Sequence, residues 1–97
     1  MLRRRGFKLI GRNWKTKVCE IDVIAQKGQT VYFVEVKYRA RQSQGGGLEY
    51  ITGKKLKRMY FAAEVWKQTY GWYGDCRLMA AAVSGEDCKD IEIVELD

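Results

Sequence analysis

The chain has 97 residues, 46% of them apolar and 31% charged, with 18 lysines and arginines against 12 acids, three cysteines and no histidine. A chain of this length buries roughly 60–65% of the surface that its unfolded form exposes, which is enough for one modest core and excludes a two-lobed enzyme with a cleft between domains. The lack of histidine argues against histidine-based catalysis and zinc or haem sites, no apolar run approaches the roughly 18 residues of a membrane span, and an odd cysteine count without C-x-x-C favours a reduced, cytoplasmic setting.

Glycines punctuate the first segment at Gly6 and Gly11, and Leu2, Phe7, Leu9 and Ile10 read as the close of a helix that enters a strand. Val18–Ala25 is dense in β-branched residues and reads as a strand. Thr30–Tyr38 reads as a stronger one, and Lys27-Gly28-Gln29-Thr30 between them reads as a hairpin turn. Arg39 to Gly47 is a polar, glycine-rich loop. Thr52 then stands as an N-cap before a helix over 53–70, whose apolar face is Leu56, Met59, Tyr60, Ala63, Trp66 and Tyr70 and whose stop is Gly71. Cys76–Val83 reads as a strand buried on both faces, Ser84–Asp90 as a turn, and Ile91–Leu96 as an alternating final strand at an edge. The order β-β-β-loop-α-β-β predicts an α/β sandwich with a small mixed β-sheet and one main helix.

Charge is unevenly placed. Residues 1–17 carry seven basic groups and no acid, residues 37–63 carry seven against Glu49 alone, and residues 64–97 carry three against eight acids. A cationic front and middle suits phosphate backbones, although charge alone fits a solvated surface equally well. Lys54, Lys55, Lys57 and Arg58 crowd the start of the predicted helix, where cations oppose the helix dipole by about 0.3–1 kcal/mol each. That placement makes sense if the helix start faces a phosphate. With Arg3, Arg4, Arg5, Arg39 and Arg41, these residues are the candidate nucleic-acid contacts. No base-reading motif is visible, so recognition by shape and charge is expected.

Four charges stand inside the two central strands: Glu20 and Asp22 on one, Glu35 and Lys37 on the next. Each pair is two residues apart and so falls on one side of its strand. A turn centred between Gly28 and Gln29 pairs residues whose numbers sum to 57, which sets Asp22 opposite Glu35 and Glu20 opposite Lys37. Two carboxylates about 5 Å apart repel by roughly 3 kcal/mol at an effective dielectric near 20, so stability alone would not select the arrangement. A hard divalent cation, Mg²⁺ or Mn²⁺, would reverse the sign, and Lys37 could then hold an attacking water or a phosphate oxygen. The plain alternative is a Glu20–Lys37 ion pair with Asp22 and Glu35 turned to water. A turn of odd length would also break the pairing.

Asp22 and, thirteen positions on, Glu35-Val36-Lys37 form a pattern that resembles the PD-(D/E)xK nuclease motif. Its flanks, Arg12-Asn13-Trp14, Glu20-Ile21-Asp22-Val23-Ile24-Ala25, Phe33 to Arg39, Thr52-x-x-Lys55 and Ala62-Ala63-Glu64, resemble the YraN-like family of bacterial proteins over about residues 2–83. That resemblance implies a restriction-endonuclease-like fold in a single nuclease-like domain over 1–97, similar to archaeal Holliday junction resolvases. It implies a metal-dependent, structure-selective DNA endonuclease with Mg²⁺ or Mn²⁺ on Asp22, Glu35 and the main-chain carbonyl of Val36. Lys37 would be the catalytic lysine, and Glu20 a catalytic-site carboxylate whose role in the family is less defined. Relatives carry a preceding helix with a further metal-facing glutamate and usually a glycine where Cys19 stands, whereas this sequence opens at the stretch after that helix. The corresponding expectation is a homodimer in which a second copy covers the sheet face left by the helix. The alternative is a nucleic-acid-binding module of the same fold with impaired catalysis. A third possibility is a small scaffold protein whose charges only solvate it.

Overall fold

Two short signals in the chain, a tight glycine turn and a capped amphipathic segment, set most of the architecture. The computed structural model describes residues 5–38, 51–84 and 90–96. Five strands and one helix follow in the order β1 (Lys8–Lys15), β2 (Glu20–Lys27), β3 (Thr30–Tyr38), α1 (Gly53–Tyr70), β4 (Asp75–Ser84) and β5 (Asp90–Glu95). They form one sheet whose strands lie in chain order. The β1–β2, β2–β3 and β4–β5 neighbours are antiparallel, and β3–β4 is parallel, joined by the crossover through α1. This is the mixed α/β sheet with one helix that the sequence predicts.

Gly28 has φ 63°, a conformation that costs glycine little, and so closes the two-residue turn between β2 and β3. Pairing runs from Lys27↔Thr30 to Val23↔Val34, each pair summing to 57, which is the predicted register. Thr52 caps α1 by accepting the Lys55 amide on its side chain at 3.1 Å. Gly71, at φ 65°, ends the helix in the left-handed conformation and returns its N–H to the Lys67 carbonyl, as a helix stop of this kind requires.

Against one face of the sheet α1 lays Ala62, Ala63 and Trp66, which pack with Ile21, Ile24, Val31, Phe33 and Leu78. The Phe33 and Trp66 rings meet edge to face, with centroids 5.3 Å apart. Two side chains of the expected apolar stripe fall outside this core: Tyr60 and Tyr70 are 45% and 59% exposed, while the unpredicted Ala62 is buried. Tyr60 lies about 100° around the helix from Met59 and misses the core, and Ala62 carries too little apolar surface to mark the period. Tyr70 instead ties α1 to the sheet edge by accepting the Trp14 indole N–H at 3.1 Å. On the opposite face Ala25, Val34, Met79 and Ala81 are buried beside Phe7, Val23, Tyr32, Val36 and Ile93.

Several boundaries differ from the expectation by one or two residues: β2 runs on to Lys27 rather than Ala25, β4 spans Asp75–Ser84 and β5 spans Asp90–Glu95. Gly11 does not end a segment but sits inside β1, next to an irregularity between Leu9 and Gly11 and close against Ile24. Strand β2 begins at Glu20 rather than Val18, because Thr16 closes the preceding turn by accepting the Val18 and Cys19 amides, both at 3.1 Å. The predicted loop at 39–47 and most of the turn at 84–90 lie outside the described residues.

Candidate functional site

The regular β2–β3 ladder stops at Val23↔Val34, one residue short of the predicted Asp22–Glu35 pair. Alternation of hydrogen-bonded pairs would next bring the Val36 amide to the carbonyl of Ile21. Instead it donates to Asp22 Oδ2 at 2.8 Å, in a half-buried setting. The carboxylate has taken the place of a strand carbonyl. On the other side of β2 the pairing with β1 passes from Arg12↔Val23 to Trp14↔Ile21, and Asn13, opposite Asp22, has φ 52°. Asparagine tolerates this left-handed conformation better than most residues.

This double irregularity changes the phase of β2. Ile21 and Ile24, three residues apart, both enter the core beneath α1, whereas strict alternation would send them to opposite faces. The two-residue spacing of Glu20 and Asp22 therefore does not bring them to the same place. Glu20 and Glu35 line one cleft of about 460 Å³, together with Lys15, Thr16, Val18, Cys19, Lys55, Arg58, Met59 and Phe61. Asp22 and Lys37 are not among its walls. The expected patch of four charges on one face is thus divided: Glu20 and Glu35 share the cleft, and Asp22 sits in the opening between the strands. Lys37 is exposed further along β3. Glu20 and Lys37 are not ladder partners, because pairing ends before them.

Glu35 and Lys55 make the tightest ion pair of the cleft, with Nζ 2.7 Å from Oε2 and side-chain exposures of 30% for Lys55 and 22% for Glu35. The partner that the sequence assigned to phosphate is therefore turned inward onto the carboxylate. Thr52 explains the placement: its hydroxyl holds the Lys55 amide, so the cap that starts the helix also fixes the backbone from which Lys55 reaches β3. The first turn of α1 holds no acid, and Arg58, one turn on, adds a second cation to the same wall.

Of the predicted nucleic-acid contacts, Lys54, Lys57 and Arg58 are exposed on α1 and Arg5 is exposed before β1. Arg3, Arg4, Arg39 and Arg41 lie outside the described residues. The sequence does not mark Lys15, Val18, Cys19, Met59 or Phe61 as site residues, although Met59 falls on the predicted apolar face of the helix. They come together only because the β1–β2 turn folds toward the flank of α1, a long-range approach without a local signal. Among the described residues no three cysteine, aspartate or glutamate side chains converge closely enough to hold a metal. The donor set nevertheless fits a hard cation in kind. It offers carboxylate oxygens from adjacent strands, the bond to Val36 uses one oxygen of Asp22, and Mg²⁺ commonly takes one or two protein carboxylates and keeps water for the rest.

No helix is long and apolar enough to cross a membrane among the described residues. A model of the family described as "Uncharacterised protein family UPF0102" matches residues 1–94. A UPF0102 protein of Vibrio campbellii is 43% identical over 65 residues, covering 67% of this chain and 53% of the relative. One from Pseudomonas entomophila is 39% identical over 87 residues, 88% of this chain and 71% of the relative. Another from Leifsonia xyli subsp. xyli is 46% identical over 70 residues, 72% and 59% of the two chains. The chain thus spans about half the length of the first of these and just over two thirds of the second.

Proposed function

The chain belongs to the uncharacterised protein family UPF0102, and on that premise we propose that it is a metal-dependent, structure-selective endonuclease acting on DNA, in the manner of a Holliday junction resolvase. The observation that carries the reading is the placement of the Asp22 carboxylate on the Val36 amide, immediately beside Glu35 in the chain. Asp22 and Glu35 thus stand on neighbouring strands where the regular β2–β3 pairing ends. The Val36 amide needs only an acceptor, which a neutral carbonyl would supply, so that hydrogen bond does not by itself call for the charge of Asp22.

In this reading Asp22, Glu35 and the main-chain carbonyl of Val36 hold Mg²⁺ or Mn²⁺. That cation supplies Lewis-acid polarisation of a phosphodiester and neutralises charge as it develops. The residues of the chain supply the rest. Lys37, exposed beyond Glu35, donates to a phosphate oxygen or to the attacking water. Glu20, on the wall of the same cleft as Glu35, is positioned by β2 to accept a proton. Lys15 and Arg58 line the cleft and attract the phosphate backbone, with Lys54 and Lys57 extending the cationic surface along α1. A homodimer belongs to the same proposal.

One observation favours a second reading. Glu35 already has a cation beside it in Lys55, which suits a module that binds nucleic acid and does not cleave it. Incubation of four-way junction and linear duplex DNA with Mn²⁺ or with EDTA separates the two. The nuclease reading expects Mn²⁺-dependent cleavage that is lost in Asp22→Asn, Glu35→Gln and Lys37→Met while binding persists. Salt-sensitive binding without cleavage in any metal supports the module, and an absence of salt-sensitive binding removes both.

A further inference from the structure

We infer that Lys55 is a positioning residue that stands in for the metal: its ammonium occupies the Glu35 carboxylate until a divalent cation displaces it. This deepens the proposed function and rests on it. Three observations support the assignment. The Nζ–Oε2 separation is 2.7 Å, and both side chains are less than a third exposed, so the contact is more constrained than an ordinary surface pair. The Lys55 backbone is fixed by the Thr52 cap, so the direction from which the side chain leaves the helix is set by the helix start. The pair also lies on the wall of the cleft that contains Glu20 and Arg58, so a displaced ammonium would remain beside two further charged groups.

The arrangement answers an electrostatic problem. Without a metal, the Glu35 carboxylate is close in the chain to Asp22's hydrogen-bonding site and shares a cleft with Glu20, and like charges so gathered repel. Lys55 offsets that repulsion and keeps Glu35 in one orientation. A divalent cation brings twice the charge to the same oxygens and can outcompete an ammonium, but it must first break this ion pair. Lys55 then becomes available to a phosphate. The stand-in therefore lowers metal affinity in the free protein and favours metal entry when a phosphate is present to receive the released ammonium, a reciprocal coupling of the two ligands.

Calorimetric titration of Mn²⁺ into the full chain without DNA tests the inference, comparing the parent with Lys55→Met, Lys55→Gln and Lys55→Arg. Removal of the competing cation is expected to tighten Mn²⁺ binding about three- to tenfold in the Met and Gln variants, whereas Arg keeps the parental value. A residue that merely props up the fold would give the opposite sign. Circular dichroism checks that each variant is folded, and Thr52→Ala, which loosens the cap while leaving Lys55 in place, gives a second reading with a smaller gain. Equal affinity for parent, Met and Gln variants, or weaker binding in the folded variants, overturns the stand-in role while leaving the metal site intact. An absence of Mn²⁺ binding in parent and variants alike overturns the metal site as well, so the two failures are told apart.

Discussion

Asp22 acts toward Val36 as a piece of backbone: its carboxylate receives the amide at 2.8 Å, where the ladder would have presented the Ile21 carbonyl. An acid is thereby built into the sheet at the point where two strands part. Substitution separates its structural part from its charge. Asp22→Asn keeps an acceptor oxygen for Val36 and should leave stability within about 1 kcal/mol of the parent, whereas Asp22→Ala strands a half-buried amide and should cost about 1–3 kcal/mol. Urea denaturation measures both.

The helix is expected to depend on its two ends. Thr52→Ala removes the acceptor for Lys55 N and should lower stability by about 1 kcal/mol. Gly71→Ala forces a side chain into a left-handed cap and should cost a similar amount. The changes are far apart along the helix, so in the double variant they should add, as denaturant midpoints will record.

Packing is concentrated at Trp66, which is 8% exposed and stacked edge to face on Phe33. Trp66→Ala should cost about 3–5 kcal/mol. Tyr70→Phe removes only an exposed hydrogen bond to Trp14 and should cost no more than about 1 kcal/mol. Thermal melts rank the two variants directly.

Alkaline pH provides a test at the other end of the sheet. Burial pushes the Tyr32 hydroxyl above its ordinary value, and the charge and hydrogen bond of Glu95 push it the same way. The folded state therefore keeps this proton at a pH where the unfolded chain has released it. The stability due to the neutral hydroxyl is fully present below the ordinary tyrosine value and is lost as pH rises through the raised one. Urea midpoints should be insensitive to this group up to about pH 9 and fall as pH rises past about 10, less steeply in Tyr32→Phe.

Nucleic-acid affinity should be dominated by charge. If about six phosphates are neutralised, the association constant should drop by 10³ or more, roughly, between 50 and 200 mM salt. Arg58→Ala should weaken binding to all sequences alike and reduce the salt slope by about one. Fluorescence anisotropy on a labelled duplex at several salt concentrations measures both effects.

The topology was legible because it rests on local rules. A glycine able to take positive φ fixed the hairpin register through Val23↔Val34, and Thr52 and Gly71 bounded α1 at the residues where they stand. What escaped was the departure from alternation at Asn13 and Asp22. Periodicity assumes that every strand amide bonds to a strand carbonyl, and nothing in the order of residues announces that a side chain will take that role. The same holds for Lys55. Its residue type suggested a phosphate contact, and only the approach of the helix start to β3 shows that it reaches Glu35 first.

Calorimetric titration of Mn²⁺ into the parent chain, Asp22→Asn and Glu35→Gln goes most directly to the proposed metal centre. The parent should bind at one site per chain, and each variant should lose at least about tenfold in affinity, roughly the effect of removing one of two charged ligands. Binding that is unchanged in both variants, or no binding to the folded parent, would contradict the proposed centre.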